Sequence, residues 1–462
     1  MLIVRRLLNR TVPHFYKIIC KEQNYKRAEA LRKMVEPNSR KNPEIMKLNT
    51  PEYKSIFTDE LMLLVSLFKE YGYELRIAGG AVRDLLMGKK PKDLDFATTA
   101  TPEQMKEMFS TEKIRTINEK GEKHGTITSR INDKENFEIT TLRIDVLTDG
   151  RHAEVQFTTD WLLDANRRDL TVNSMFLGFD GTVYDYFHGY EDLQNRRVAF
   201  VGDAATRIQE DYLRILRYFR FYGRIAKEPN LHETKTLEAI SSNVKGLERI
   251  SGERIWVELK QILEGNYAGE LTLTIMEMGI APYIGLPSNP NTEELQRVWN
   301  KSKNNKLQAI TLLSTLLKTQ NDVLVLHSRL KLSAYERDLA SFVVEHREPK
   351  INLKPLFPYQ QLVVKSKGKT SDVIQWIIEV LKYNDSSYLE EFRKWQLPKF
   401  PVTGNMLKEK GIEGGRLMGL VLTELKNYWA ENDFNVETEE LLKQVPHVID
   451  MLQTKRKCPK IS

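Results

Sequence analysis

The chain has 462 residues, of which 41% are hydrophobic and 29% charged, the balance of a soluble globular protein with ample core material. Its net charge of +7 is concentrated at the ends: residues 1–50 carry a net +8 and the last twelve a net +4, leaving −5 for residues 51–450. Bulk charge therefore marks no polyanion binder, and any such site must come from local pattern. The longest strongly apolar run, residues 61–68, falls far short of the roughly 20 residues that span a bilayer. No membrane partner is expected. Cys20 and Cys458 lie near opposite ends without CxxC spacing, which excludes a disulfide scaffold and a cysteine zinc site and suggests a reducing compartment.

The first acidic residue is Glu22, preceded by Arg5, Arg6, Arg10, Lys17 and Lys21 among apolar residues. Arginine-rich, acid-free and amphipathic is the composition of a mitochondrial transit peptide, so a matrix location is expected. Met46 opens the next segment, and a start there would give a second form without the signal, in the cytoplasm or nucleus. Residues 36–52 are rich in Pro and Asn and read as a linker.

From residue 57 to about 187, short β-like runs alternate with helices. Strands are predicted at 74–78, 93–97, 126–131, 137–142 and 174–179, and helices near 58–71, 81–87 and 102–109. From about 205 onward the pattern turns helical, with helices near 206–226, 253–264, 269–279, 306–317, 373–383 and 417–430. The fold class is thus α+β, with a mixed-sheet head and a long helical body.

The densest signal is Gly79-Gly80-Ala81-Val82-Arg83-Asp84, followed by Asp93-Leu94-Asp95. A strand that enters a helix through two glycines lets the backbone approach a ligand and offers free N–H groups to phosphate. Arg83 would add a charge-assisted contact. Asp93 and Asp95, at i and i+2 on a strand, would face one side, a costly pairing unless a cation lies between them. Such oxygens suit Mg²⁺, and two ions about 3.5–4 Å apart can activate a hydroxyl and steady a leaving group. Glu138 is a candidate third carboxylate and equally a solvent-facing strand residue.

Residues 210–221, Glu-Asp-Tyr-Leu-Arg-Ile-Leu-Arg-Tyr-Phe-Arg-Phe, should form one helix. Tyr212, Ile215, Leu216 and Phe219 share an apolar stripe, while Asp211, Arg214, Arg217 and Arg220 fan across the other side. Asp211 accepts hydrogen bonds and Arg214 donates them. Cytosine and adenine each present an amino donor beside a ring-nitrogen acceptor, so one Asp–Arg pair can serve both and mispair with uracil and guanine. Arg217 and Arg220 would then be free for triphosphate oxygens. Arg167-Arg168-Asp169 suits a ribose-phosphate pocket. Residues 148–154, with Arg151 and His152, are polar and turn-like and would make a mobile flap. The eight histidines show no metal-ligand spacing.

Together these motifs, with Ser251-Gly252-Glu253-Arg254-Ile255-Trp256-Val257-Glu258-Leu259, resemble the class II tRNA nucleotidyltransferases, the CCA-adding enzymes, most nearly their animal, mitochondrially targeted members. The resemblance is strong over about 46–290. It implies a polymerase-β-like nucleotidyltransferase head followed by helical neck, body and tail in a seahorse shape. The expected boundaries are 1–45 presequence and linker, 46–190 head, 191–265 neck, 266–345 body and 346–462 a tRNA-binding tail. It further implies catalytic Mg²⁺ ions on Asp93 and Asp95, and phosphates at Gly80 and Arg83. Arg168 would belong to the ribose site, Asp211 and Arg214 would form the base template, and Arg217 and Arg220 would complete the pocket. A loop at 143–157 would take part in the switch from C to A.

The partners implied are CTP, ATP and the acceptor and TΨC arms of tRNA, and the oligomeric state, monomer or homodimer, stays open. Leu170 and Ser174 depart from the Phe and Ala of many members, which touches the packing behind the ribose site. Alternatives are a poly(A) polymerase of the same superfamily and a catalytically silent RNA-binding protein.

Overall fold

The computed structural model describes residues 26, 28–117, 119–148, 153–302, 305–348 and 352–457, with side chains left aside at 119–120, 146–148, 153–154 and 455–457. The chain divides into two compact units, one ending at Ile284 and the next beginning at Gly285. That division falls inside the stretch expected as a helical body.

The first unit is built on an eight-stranded mixed sheet in the order β1-β10-β9-β2-β3-β6-β5-β4. The strands are β1 (Glu44–Lys47), β2 (Leu75–Ala78), β3 (Asp95–Thr98), β4 (Arg115–Ile117), β5 (Thr126–Ile131), β6 (Glu135–Thr141), β9 (Phe176–Leu177) and β10 (Thr182–Tyr184). A separate two-stranded sheet joins β7 (Arg143–Thr148) to β8 (Ala153–Phe157). Only the β3–β6 pair is parallel among these ladders, and its register sets Asp95 opposite Glu138. In β6 the burial alternates, so Phe137 and Ile139 enter the core and Glu138 faces out with Asp95.

Two helices cover the core face. Asp59–Glu70 starts on the side chain of Thr58, which accepts from Leu61 N–H, and buries Leu61, Leu64 and Phe68. Pro102–Thr111 starts on a capping box of Thr101 and Gln104, and Phe109 meets Phe68 edge-on with ring centroids 6.2 Å apart.

Four expectations for the first unit need correction. The presumed linker holds strand β1, whose Glu44, Met46 and Lys47 pair with β10 at the sheet edge. The strand expected from residue 93 begins at Asp95, leaving Asp93 in the bend before it. The strand expected at 174–179 shrinks to Phe176–Leu177, since Thr171–Asn173 forms a 3-10 turn. The helix expected over 206–226 is two helices, Ala204–Glu210 and Arg214–Ile225, broken at an extended Asp211 (φ −151°, ψ 104°). No proline or glycine marks that break, so tertiary contacts hold it open.

Beyond β10 every regular element among the described residues is helical. In the second unit, Ala334–His346 begins on a capping box of Ser333 and Glu336, and Thr370–Tyr383 buries Val373, Trp376 and Ile377. The helix expected at 306–317 is Ala309–Leu313 followed by a 3-10 turn, Ser314–Leu316. A separate core near the C-terminus gathers Leu407, Val421, Leu425, Trp429 and Leu441.

Candidate active site

The turn from β2 into the helix Gly80–Leu86 passes through Gly79 at φ 66°, ψ −123°, a conformation open to glycine. A Cβ there would also lie 2.9 Å from Nη1 of Arg168. Close approach of Arg168 to the turn is therefore built on the absence of a side chain. Arg83 is buried: its Nη1 donates to Asn173 Oδ1 at 2.7 Å and its Nη2 to Asp84 Oδ1 at 2.7 Å. It braces the turn against the 3-10 segment rather than standing free toward solvent.

Arg168 is held by Asp164, which is almost wholly enclosed. The Asp164 carboxylate accepts from Arg167 Nε at 2.8 Å, from Arg168 Nη2 at 3.1 Å and from the Arg143 N–H at 3.1 Å. Desolvation pushes this carboxyl up, but the Arg167 and Arg168 charges outweigh it and hold it below its usual range. Asp164 thus fixes two guanidinium groups and the base of the β7–β8 hairpin. Arg151 and His152, expected in the flap of that hairpin, lie outside the described residues.

Asp95 opens β3 on the same side of the molecule. Desolvation raises its carboxyl above the usual range, Arg168 opposes this, and Asp93 adds repulsion. Among the described residues Asp93, Asp95 and the side chain of Glu138 have no ion-pair or hydrogen-bond partner, whereas Arg83, Asp164, Arg168 and Asp169 are all engaged. Unpartnered carboxylate oxygens that repel each other are the donor set a hard divalent cation takes. Asp93 and Asp95 fit such an ion. With Glu138 they do not converge: among the described residues no group of three acidic, His or Cys side chains is close enough to hold a metal.

The arginine helix Arg214–Ile225 is buried almost all round, including Arg214. The expectation that Asp211 and Arg214 stand together on one helix is corrected: Asp211 lies in the break before the helix that Arg214 opens. Arg214 Nη1 donates to Glu210 Oε2 at 2.5 Å, and its Nη2 to the Arg167 carbonyl at 3.0 Å. Asp211 instead accepts from Leu213 N–H at 3.1 Å and from Arg254 Nη2 at 2.8 Å. Arg217 and Arg220 are not free either. Arg217 Nε meets Asp169 Oδ2 at 2.6 Å, and Arg220 Nε lies 3.0 Å from Glu258 Oε2.

Sequence patterning missed a further residue, Phe221. Its ring is faced by the guanidinium carbons of Arg220 at 4.5 Å, Arg83 at 5.0 Å, Arg224 at 5.6 Å and Arg217 at 5.8 Å. One aromatic ring therefore gathers arginines from two helices. Burial lowers Arg220 to about 10, with Glu258 opposing and the neighbouring Arg217 and Arg224 adding to the fall. Such mutual repulsion between cations is relieved by a polyanion. The signal was present as a phenylalanine inside an arginine repeat, but Arg83 and Glu258 lie too far away in sequence to reveal it.

A family model described as the poly A polymerase head domain matches residues 75–199, and one described as the probable RNA and SrmB binding site of polymerase A matches residues 233–287. The mitochondrial CCA tRNA nucleotidyltransferase 1 of Mus musculus is 54% identical over 405 residues, covering 87% of this chain and 93% of that protein. That of Danio rerio is 53% identical over 402 residues, covering 86% and 93%. Among solved structures, the CCA-adding enzyme of Bacillus stearothermophilus in complex with CTP superposes with a TM-score of 0.66 at 24% identity, covering 88% of this chain and all of that one.

Proposed function

The chain belongs to the CCA tRNA nucleotidyltransferases, and from that membership we propose that it adds C, C and A to the 3′ end of tRNA from CTP and ATP, without a nucleic-acid template. The observation that carries the mechanism is the pair of unpartnered carboxylates, Asp93 and Asp95, acted on by Arg168, whose guanidinium lies against the Gly79 turn. The RNA 3′-hydroxyl attacks the α-phosphate and pyrophosphate leaves, a reaction of positioning and charge stabilisation without a covalent enzyme intermediate.

Asp93 and Asp95 would hold divalent cations, two Mg²⁺ ions in this proposal, which when bound lower the pKa of the attacking hydroxyl and neutralise the leaving group. The backbone at Gly80 follows the glycine turn and offers N–H groups to phosphate. Arg83 acts from behind, keeping Asn173 and the turn in place. Arg168, clamped by Asp164 and acting on Asp95, would hold the ribose and α-phosphate beside the carboxylates. Arg217 and Arg220 would exchange Asp169 and Glu258 for triphosphate oxygens, keeping a partner throughout. Asp211 and Arg214 would read the base, Asp211 as the acceptor for the amino group of C or A and Arg214, once it leaves Glu210 and the Arg167 carbonyl, as the donor to its ring nitrogen. Glu138 would border the metal carboxylates through the β3–β6 register.

The expected domains enter the proposal as roles: 46–190 as catalytic head, 191–265 as neck, 266–345 as body and 346–462 as tail, the helical parts holding the acceptor and TΨC arms of tRNA by shape and backbone. The basic, acid-free residues 1–21 and the mitochondrial relatives support a matrix location. A second form starting at Met46 would keep Met46 and Lys47 opposite Val183 and Thr182 but lose Glu44 opposite Tyr184.

Single-nucleotide extension of labelled tRNA transcripts lacking CCA, ending in C or ending in CC tests the proposal. Two additions from CTP, one ATP addition only on the CC end, and rejection of UTP and GTP are expected. Long A tracts on any 3′ end would make the protein a poly(A) polymerase. No incorporation with any nucleotide would leave an RNA-binding protein.

A further inference from the structure

The helix Gly252–Leu263 lies against the arginine helix and presents Arg254, Glu258 and Gln261 on one stripe, at i, i+4 and i+7. Each meets a polar residue of the nucleotide face. Arg254 Nη2 donates to Asp211 Oδ2 at 2.8 Å, Glu258 approaches Arg220 at 3.0 Å, and Gln261 Oε1 accepts from Arg220 at 3.2 Å and Arg224 at 2.9 Å. Asp211 stands out in this set because it belongs to no helix. Its own backbone is extended, and Arg214 points away toward Glu210 and the Arg167 carbonyl.

We infer that Arg254 is a positioning residue for base selection, acting through Asp211; this rests on the assignment of Asp211 as a base reader. A carboxylate offers about four lone-pair sites. The Leu213 N–H takes one on Oδ1 and Arg254 takes one on Oδ2, which fixes the plane of the group and leaves one acceptor on each oxygen. Without Arg254 a single backbone N–H holds the carboxylate, and it can rotate its acceptor away from the place a base amino group must reach. Discrimination against a carbonyl-bearing edge depends on that fixed orientation, since rejection comes from mispaired buried groups.

The path of the main chain has its own support. A Cβ on Gly246 would fall 1.9 Å from the Tyr212 ring, so Tyr212 lies flush against that backbone. Arg254 therefore acts on the direction of the Asp211 carboxylate rather than on the fold of the segment that carries it.

The test uses the full-length protein as wild type, Arg254→Met, Arg254→Lys, Asp211→Asn and the double variant Asp211→Asn/Arg254→Met. The readouts are kcat and KM for CTP against UTP on a transcript lacking CCA, and for ATP against GTP on one ending in CC, together with thermal unfolding. Arg254→Met is expected to cut each ratio of kcat/KM by about tenfold or more, mainly through KM for the correct nucleotide, with an unchanged melting temperature. Arg254→Lys restores part of the ratio, and the double variant discriminates no worse than Asp211→Asn alone. Unchanged ratios in Arg254→Met, a further loss in the double variant, or an equal kcat loss for all four nucleotides with a lowered melting temperature would each overturn the inference alone. A wild type that does not discriminate would overturn the base-reader assignment and this inference with it.

Discussion

Replacing Asp164 by Asn should separate the structural role of the carboxylate clamp from the chemistry beside it. The substitution keeps the volume and removes the one negative charge shared by Arg167 and Arg168, whose side chains are 16% and 18% exposed. Removing one partner from a buried ion pair costs about 3–5 kcal/mol. At roughly 2–4 °C per kcal/mol for a large domain, the melting temperature should fall by about 6–20 °C at pH 7. The folded Asp164 carboxyl lies below its unfolded value, so the stabilisation is complete above about pH 5 and is lost as pH falls through the depressed folded value. Wild type and variant should therefore converge on acidification. Near-UV circular dichroism against temperature, at pH 7 and again near pH 3, measures both effects. A fall of less than about 2 °C at pH 7, against the several kcal/mol expected of a buried pair, would refute the clamp. So would a gap that stays constant with pH.

Asp95→Asn should lower nucleotide incorporation by at least about 10²–10³-fold with the melting temperature unchanged, and chelation of divalent cations should do the same to the wild type until Mg²⁺ is restored. Gly79→Ala forces a side chain into a positive-φ turn and against Arg168, so a loss of about 1–3 kcal/mol in thermal unfolding and a fall in kcat should come together. Phe221→Leu removes the ring that gathers four arginines, at about 0.5–1 kcal/mol for each contact, and should raise KM for CTP and ATP alike without changing the choice between C and U. Steady-state extension of labelled transcripts, together with thermal unfolding, reads all three.

The glycine turn, the acidic pair and the central strands were legible because their signals are local: glycines before a helix, alternation along β5 and β6, and apolar spacing in the covering helices. What stayed hidden depended on distant partners. Strand β1 has no apolar alternation, only four residues whose place is set by hydrogen bonding to β10. The break at Asp211 carries no proline or glycine and is held by Leu213, by Arg254 and by Tyr212 resting on Gly246. Arg217 and Arg220 have no matching acid along their own helix face, and their partners, Asp169 and Glu258, come from other segments. Asp164 read as one more polar residue before Arg167-Arg168-Asp169, because nothing in the sequence shows that its carboxylate is enclosed.

A chain drawn N-terminus first into an organelle delivers β1 among its earliest ordered residues. Its partner β10 arrives only after the whole catalytic sheet has followed, since Glu44 pairs with Tyr184 and the Pro43 carbonyl accepts from Asp185 N–H. Until then the first strand stays an unpaired edge, open to chaperones and processing proteases. Two ladders, β1–β10 and β9–β10, wait on β10. A head whose N-terminal edge resists proteolysis has been translocated and folded at least as far as the end of β10.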